Sequence, residues 1–576
     1  MNARALQRYA PLLVVVAIQA LFIAVLPSTA ADRAGTSTTD GFSSPFADQG
    51  AAQGAGASAG AGQGTAASGA TGGGAGSAGD QAGPSDGATA TTVAGEQAAG
   101  GADTAHCVDG RQFDPAIDFF APPCVPAFTG ENPGATYLGV TGDTVRVVSY
   151  IGQENPAVQA SLAAQGLAVS AEQRRAFLDG VEDFVNQRIE LYGRELEIVV
   201  VQGQCSTIPP DNACLRQEMR SIVAEVEPFA FVWISPLTNA PYDELSNLGV
   251  LNLGGSMFMD SFSQARRPYH WDVHMSGTEI ARHFGEWWCK QLSGKEAAYS
   301  PSPSPAGTPG NTNGGKRVLG IIGTNDPENI KMREEVDRVL RTCGDSVAHT
   351  YDASNDLSTA AAQRSASVAS MRQSPEATTV LCLCNPVGAQ FVYSEMQTQN
   401  YYPEIVYAGT VYTDLDDIGQ TNMEGAGCPS EARCNFAAAF GLSSSEPREP
   451  VGQDRAARMW QASGRTGNPP FPGAELEWDY WLLLASLIQN AGPELTPVNV
   501  EAGAHAAGLR GGAGTGHALR GFEPGVYSWN RDMAISYWDP TAPSAFNGEP
   551  GTFVRLDRFR IGEYGSSLPA IPTDRR

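Results

Sequence analysis

The chain has too little positive charge to bind a polyanion. Lysine and arginine together number 37 against 62 aspartates and glutamates, a net charge of −25 over 576 residues. That balance excludes nucleic acid and an anionic membrane surface as partners. Histidine is scarce as well, at seven, and no Cys-x-x-Cys pair occurs, which leaves a metal or a cofactor with little support. No Gly-x-Ser-x-Gly elbow stands between a strand and a helix, and no His-Glu-x-x-His helix or Walker phosphate loop is present. Enzyme chemistry therefore has no visible machinery, and we read the chain as a non-enzyme. No cysteine precedes Cys107, which excludes lipid attachment at a cysteine just after an export signal.

Residues 32–105 lack aromatic and large aliphatic side chains almost entirely after Phe46 and consist almost wholly of Gly, Ala, Ser, Thr, Gln and Asp. Such a segment cannot bury enough apolar area to offset its ordering entropy. It reads as a disordered linker with a reach of roughly 45–50 Å. Before it, Arg4 and Arg8 are followed by an apolar run from Ala10 to Leu26 and by "PSTAAD", an export signal spanning 1–31. Ser28 and Ala30 fit a cleavage site, while the length of the run leaves an uncleaved signal anchor as the alternative. The expected location is extracytoplasmic, at the cell surface.

Ten cysteines in several close pairs are what an oxidising compartment permits. The spacing predicts Cys107–Cys124, Cys205–Cys214 and Cys428–Cys434 as local loops, and Cys289–Cys343 as a link between helices. Cys382 and Cys384 share one face of a strand, and their partners stay open.

From Thr141 onward, strand and helix patterns alternate. "TVRVVSYI", "ELEIVVVQG" and "FAFVWI" read as strands; between them stand an amphipathic helix from Ser170 to Gly193 and the helix "LRQEMRSIVAEV". A second cycle follows with "TEIARHFGEWWCKQL", "KRVLGIIG", "NIKMREEVDRVLRTCG", "VAHTY", a helix and "TTVLCLC", interrupted by an exposed Pro/Gly/Ser insertion between Lys295 and Gly315. The order βαβαβ, used twice, predicts an α/β chain of two lobes, each a parallel sheet with helices on both faces.

The succession "SYIGQENPA", "AFLDGVEDFVNQRIELYGRELEIVV", "FVWISPLTNA", "GVLNLGGS", "KRVLGIIGTNDPEN", "EIVYAGTVY" and "ELEWDYWLLLASLIQNAG" resembles the type I periplasmic binding proteins, in particular the branched-chain amino acid and amide receptors of ABC importers. The resemblance covers about Tyr137 to Tyr564. It implies two Rossmann-like lobes joined by three crossovers, closing as a monomer over a small ligand and delivering it to an ABC permease. A ligand sensor signalling to another membrane partner is the alternative. Chain order then places 137–274 and 410–508 in lobe 1, with 275–409 and 509–576 in lobe 2, after a disulfide-bearing extension at 106–136.

In open parallel sheets a ligand lies beyond the strand carboxyl ends, where the following helices present unpaired N–H groups. "SPLTNAP" offers Ser235, Thr238 and Asn239, and "LGGSM" offers Gly254, Gly255 and Ser256. By resemblance these loops match the family's contacts to a ligand carboxylate or equivalent acceptor. The competing reading is that Thr238 and Asn239 only cap a helix. Asp243 and Glu244, in the first turn that follows, answer the helix dipole and favour a neutral or amide ligand.

In the second lobe, where the family usually supplies an aromatic residue, Asn325 and Asp326 stand instead. Asn385, Thr410, Tyr412 and Asp414 complete the set. Asp414 is the candidate carboxylate for a ligand ammonium, its competing reading a solvated acid beside Asp416 and Asp417. Trp233, Trp271, Trp478 and Trp481 are expected in the core.

Overall fold

The computed structural model describes residues 103–153, 169–207, 210–232, 238–255, 257–300, 312, 314–410, 412–425 and 434–572. The expected signal, the linker to residue 102, most of the 295–315 insertion, Trp233 and Cys428 lie outside the described residues.

In chain order the first sheet is built from β1 (Thr144–Gln153), α1 (Ala171–Arg188), β2 (Glu195–Ser206), α2 (Asn212–Val226), β3 (Ala230–Val232), α3 (Ala240–Asn247), β4 (Leu251–Leu253), α4 (Asp260–Ala265) and β5 (His270–Trp271). All neighbouring strands run parallel, in the order β2-β1-β3-β4-β5. The alternation in "TVRVVSYI" explains the two covered faces. Val145 and Val147 pack with Phe177, Val181 and Phe184 of α1, while Val148 and Tyr150 pack with Leu215 and Met219 of α2. Helix α1 begins with the capping box of Ser170 and Gln173 and stops at Arg188, short of the expected Gly193. Tyr192 and Gly193, both at positive φ, instead turn the chain into β2.

The second sheet follows with α5 (Gly277–Trp287), β6 (Leu319–Thr324), α6 (Pro327–Arg341), β7 (Val347–Ala353), α7 (Leu357–Met371), β8 (Thr379–Cys382), α8 (Pro386–Thr398), β9 (Glu404–Ala408), α9 (Asp416–Gly425) and β10 (Phe440–Ser443). After α10 (Arg455–Ala462), α11 (Ala474–Ala491), α12 (Pro497–Ala506) and the hairpin β11 (Arg510–Gly512) and β12 (His517–Arg520), the chain adds β13 (Met533–Pro543) and β14 (Pro550–Phe559). The order is β14-β13-β10-β9-β8-β6-β7, with the two last strands antiparallel on one edge. Leu319 and Ile321 face α5 and α6; Ile322, Val380 and Cys382 face α7 and α8.

This is the two-lobe α/β arrangement with three crossovers that the resemblance implies, but two crossovers come later than chain order suggests. The first lies at Asp272–Ser276, between β5 and α5. The second follows Ser443 rather than 409, because β10 still pairs with β9 and β13. The third follows Trp529 rather than 508, because Phe522, Tyr527 and Trp529 pack in the first core with α11 and α12. Trp271, Trp478 and Trp481 are buried there too.

The extension from residue 103 to 136 belongs to the first lobe. Phe113 meets Phe184 edge-on at 5.1 Å, Trp478 Nε1 donates to Asp118 at 2.9 Å, and Gln489 donates to the Pro123 carbonyl at 2.8 Å. The sulfurs of Cys107–Cys124, Cys205–Cys214 and Cys289–Cys343 stand at bonding distance, with Cα separations of 5.8, 5.6 and 5.8 Å. Cys382 and Cys384 stand at bonding distance from each other.

The second lobe is pinned around one buried acid. Glu404 accepts from Arg317 Nε and Nη2 at 2.8 and 2.9 Å, from Thr379 at 2.8 Å, and from the Ala298 and Tyr299 N–H groups at 2.8 and 3.0 Å. Both ends of the ion pair are sealed from solvent. Glu404→Ala leaves Arg317 charged and buried, and is expected to cost about 3–5 kcal/mol in equilibrium denaturation. A loss under about 1 kcal/mol, the value of a surface pair, would overturn this reading.

Candidate functional site

Strands β3 and β4 end side by side, Val232 opposite Leu253. Ser235 and Ser256 lie outside the described residues. Thr238 is buried, its hydroxyl donating to Asn212 Oδ1 at 2.7 Å and accepting from the Ala240 N–H at 3.4 Å. It thus ties the start of α3 to the start of α2. Asn239 precedes α3, yet its side chain makes no capping bond. The plain capping reading therefore holds for Thr238 and not for Asn239.

Gly254 and Gly255 sit at φ 141° and 127°, where only glycine is at ease. A Cβ on Gly255 would lie 3.0 Å from the Phe258 ring and 3.1 Å from Asp272 Oδ2. The acids opening α3 do not answer the helix dipole alone. Asp243 is held by Arg266 and Arg216, and Glu244 by Arg220 and Arg216. Burial opposes ionisation of Asp243, but the hydrogen bonds from Arg266 and Arg216 outweigh it and keep its carboxyl below the usual range. The reason for preferring a neutral ligand thereby falls away.

In the second lobe most of the expected side chains bond within the protein. Asn325 is exposed and accepts from the Asn355 N–H at 3.1 Å. Asp326 caps α6 and Asn385 caps α8. Thr410 is buried against the Thr413 hydroxyl at 2.9 Å. Asp414 is fully buried and accepts from the Ser443 and Ser445 hydroxyls. It is not the solvated acid weighed from sequence; it fastens the loop after β9 to the end of β10. Tyr412, at φ 64°, sets its ring edge-on to His274 at 5.4 Å.

The chain beyond β4 meets the chain beyond β6. The loop after β4 donates the Met259 N–H to Glu328 Oε2, in the first turn of the helix after β6, at 2.9 Å. Between them lies a residue that sequence reasoning missed. Asp272, 3% exposed, accepts from the His274 N–H at 2.8 Å through Oδ1, while Oδ2, beside Gly255, has no partner. Burial pushes this carboxyl up to about 8, and its charge is felt at Tyr242, Tyr412 and Tyr480. Gly255 of the first lobe and Tyr412 of the second are thus brought to one acid. His270 and His274, four residues apart, form no pair: His270 bonds Ser263 at 2.9 Å and His274 bonds Tyr480 at 3.1 Å. Burial pushes them down to about 3 and about 4.

A cavity of about 270 Å³ opens where the three crossovers meet, touching Val273–Met275, Ser444–Arg448 and Asn530. Asp479 of α11 receives both guanidinium groups of Arg455 and Arg520 in its wall. Glu446 accepts from His517 at 3.2 Å and from the Ala518 N–H at 2.9 Å. Burial opposes ionisation of Glu446, but His517 and the charges of Arg520 and Arg455 hold it well below the usual carboxylate range. The extension closes this side: Phe119 stacks on His517 at 4.0 Å, and Arg520 lies 4.4 Å over the Phe120 ring. One signal was available in the sequence. Glu475, Glu477 and Asp479 open an otherwise apolar helix, and acids in such a place need cationic partners.

No family model matches the sequence, and no curated protein matches it. Solved structures do align. A solute-binding protein of an ABC transporter from R. palustris, in complex with 4-hydroxybenzoate, is 10% identical with a TM-score of 0.49, covering 73% of this chain and 98% of that one. A branched-chain amino acid ABC transporter protein from Thermus thermophilus with bound valine is 13% identical with a TM-score of 0.48, covering 73% and 97%. A leucine-, isoleucine-, valine-, threonine- and alanine-binding protein from Brucella ovis, in a closed conformation, is 11% identical with a TM-score of 0.48, covering 73% and 96%.

Asp272 makes the site's pH response predictable. Its pKa of about 8 in the fold stands above the ordinary 3.8, so the folded state holds a proton that the unfolded chain releases. Between those values stability contributed by this group falls as pH rises. Thermal melts across that range should show the parent losing stability relative to Asp272→Asn, with the difference levelling above about pH 8. Parallel pH profiles would mean that Asp272 ionises normally.

Proposed function

We propose that this chain is an extracytoplasmic solute-binding protein whose two lobes close over a small polar ligand, such as an amino acid or an amide, and deliver it to an ABC permease without chemical turnover. The observation that supports this reading is the bond from Met259, after β4, to Glu328, after β6, which brings together the chain beyond one strand end of each sheet. Ligands of open α/β sheets lie beyond strand carboxyl ends, and two such rims facing each other can enclose a solute from both sides. Asn239, Gly254, Gly255 and Tyr412 supply the described part of the rim, with Ser235 and Ser256 expected beside them. A sensor signalling to a membrane partner would use the same cleft.

Among the described residues no helix is long and apolar enough to cross a membrane. Retention at the surface therefore rests on the apolar run Ala10–Leu26. We read the chain as exported, and the paired cysteines accord with this. Peptide mapping without reduction should recover Cys107–Cys124, Cys205–Cys214 and Cys289–Cys343 as linked peptides; free thiols at Cys205 and Cys214 would sink the oxidised assignment.

A thermal-shift screen of small polar solutes should find a stabilising ligand, worth about 2.7 kcal/mol at 100 times its dissociation constant. Calorimetry should then show Asn239→Ala and Ser256→Ala each weakening that ligand by about 0.5–1.5 kcal/mol for a neutral partner and about 1.5–3 for a charged one. Unchanged binding in both variants rejects the strand-end site, and consumption of the ligand rejects the receptor reading.

A further inference from the structure

We infer that the Cys107–Cys124 bond is a site of thiol–disulfide exchange, with an external dithiol as its substrate and His106 as its proton donor. The site belongs to the N-terminal extension and uses no residue of the strand-end rim. His106 Nε2 lies 3.9 Å from Cys107 Sγ, 3.7 Å from Cys124 Sγ and 3.1 Å from the Val125 carbonyl oxygen. A carbonyl can only accept, so this nitrogen carries a hydrogen. The proton thus sits on the ring atom that reaches both sulfurs. His106 is exposed and both cysteines are half-buried, which leaves the bond open to a thiol from solvent. A disulfide yields fastest when the departing thiolate is stabilised, and an imidazolium beside the sulfur does that.

The other described pairs are less favourably placed. Among the described residues, His106, Cys107 and Cys124 form the one cluster in which a histidine and two cysteines bring their nitrogen and sulfur atoms within 4.8 Å of one another. Cys382 and Cys384 are each 3% exposed, closed to an incoming thiolate. Expelling Cys214, at the third position of α2, requires attack on Cys205, which is 3% exposed. Attack on Cys214 instead expels Cys205 into an apolar cluster with Tyr150 and Leu215. Cys343 is exposed, but its sulfur lies 3.1 Å from the Leu340 carbonyl, and that of Cys289 lies 3.9 Å from the carbonyls of Val339 and Leu340. Carbonyl lone pairs repel a thiolate. Val125 also sets a carbonyl 3.5 Å from Cys124 Sγ, but there the His106 N–H stands between them as donor.

The step balances with the dithiol as reductant. One of its thiolates attacks a sulfur of the pair and forms a mixed disulfide; the electron pair of the broken S–S bond goes to the other sulfur, which takes the Nε2 proton of the His106 imidazolium. The second thiol of the dithiol then gives up its proton and attacks the mixed disulfide. Both cysteines leave as thiols, and the dithiol leaves as a disulfide. The loop that the bond closes carries Phe113, Asp118 and Phe119, which hold the extension to Phe184 of α1, Trp478 of α11 and His517 of the β11–β12 hairpin.

Limiting dithiothreitol added to the oxidised full chain, with alkylation at intervals and peptide mapping, follows each pair separately. Cys107–Cys124 is expected to open ahead of Cys205–Cys214, Cys289–Cys343 and Cys382–Cys384. His106→Ala should slow that opening about tenfold or more, while the other three pairs, an internal clock in the same molecule, keep their rates. His106→Gln keeps an N–H for the Val125 carbonyl but has no transferable proton, and should be slow as well. Earlier opening of any of the other three pairs, an unchanged rate in His106→Ala, or the parent rate in His106→Gln overturns the proposal.

Discussion

Asp479, clasped by Arg455 and Arg520, is the interaction on which the crossover region depends. Its two oxygens tie the start of α11 to the start of α10 and to the hairpin that precedes the third crossover. Removing charges from water is expensive, and only a fully bonded geometry in a low-dielectric setting returns the cost. Phe120 of the extension and Trp529 before the third crossover supply that setting, their rings 4.4 and 4.8 Å from the Arg520 guanidinium. A short aromatic segment far away in sequence therefore belongs to the electrostatics of the crossovers.

The two lobes solve the same problem by different means. Each covers both faces of a parallel sheet with helices, and each keeps its largest side chains in those interfaces. The first lobe, with short strands β3, β4 and β5, is braced from outside by the extension and by α11. The second has longer continuity of strands and holds its register through Glu404, to which three separate segments donate.

Much of this was legible in the sequence because periodicity reports burial. The alternation at Val145–Tyr150 and the capping box at Ser170 place β1 and α1 nearly as found. The crossovers were less legible. "FAAAFGLS" has the alanine content of a loop or helix, yet Phe440–Ser443 becomes a strand because β9 and β13 flank it, a tertiary preference that local propensity does not carry. Strand-end residues were found by position, but position does not say where a polar atom points. Asp326 and Asn385 turn back to cap the helices they precede, and Asp414 turns to the serines of β10. The Arg448, Arg455 and Arg520 group escaped notice because its acids come from segments 24 to 41 residues away.

The extension's attachment also fixes a frame of reference. Phe113, Asp118 and Pro123 all bond into the core of α1 and α11, so the covalent path from residues 1–102 enters the molecule through the first lobe. Were those residues held at a surface, the first lobe would act as the stator. Any closing stroke would then be made by the second lobe, swinging toward or away from whatever stands at that surface.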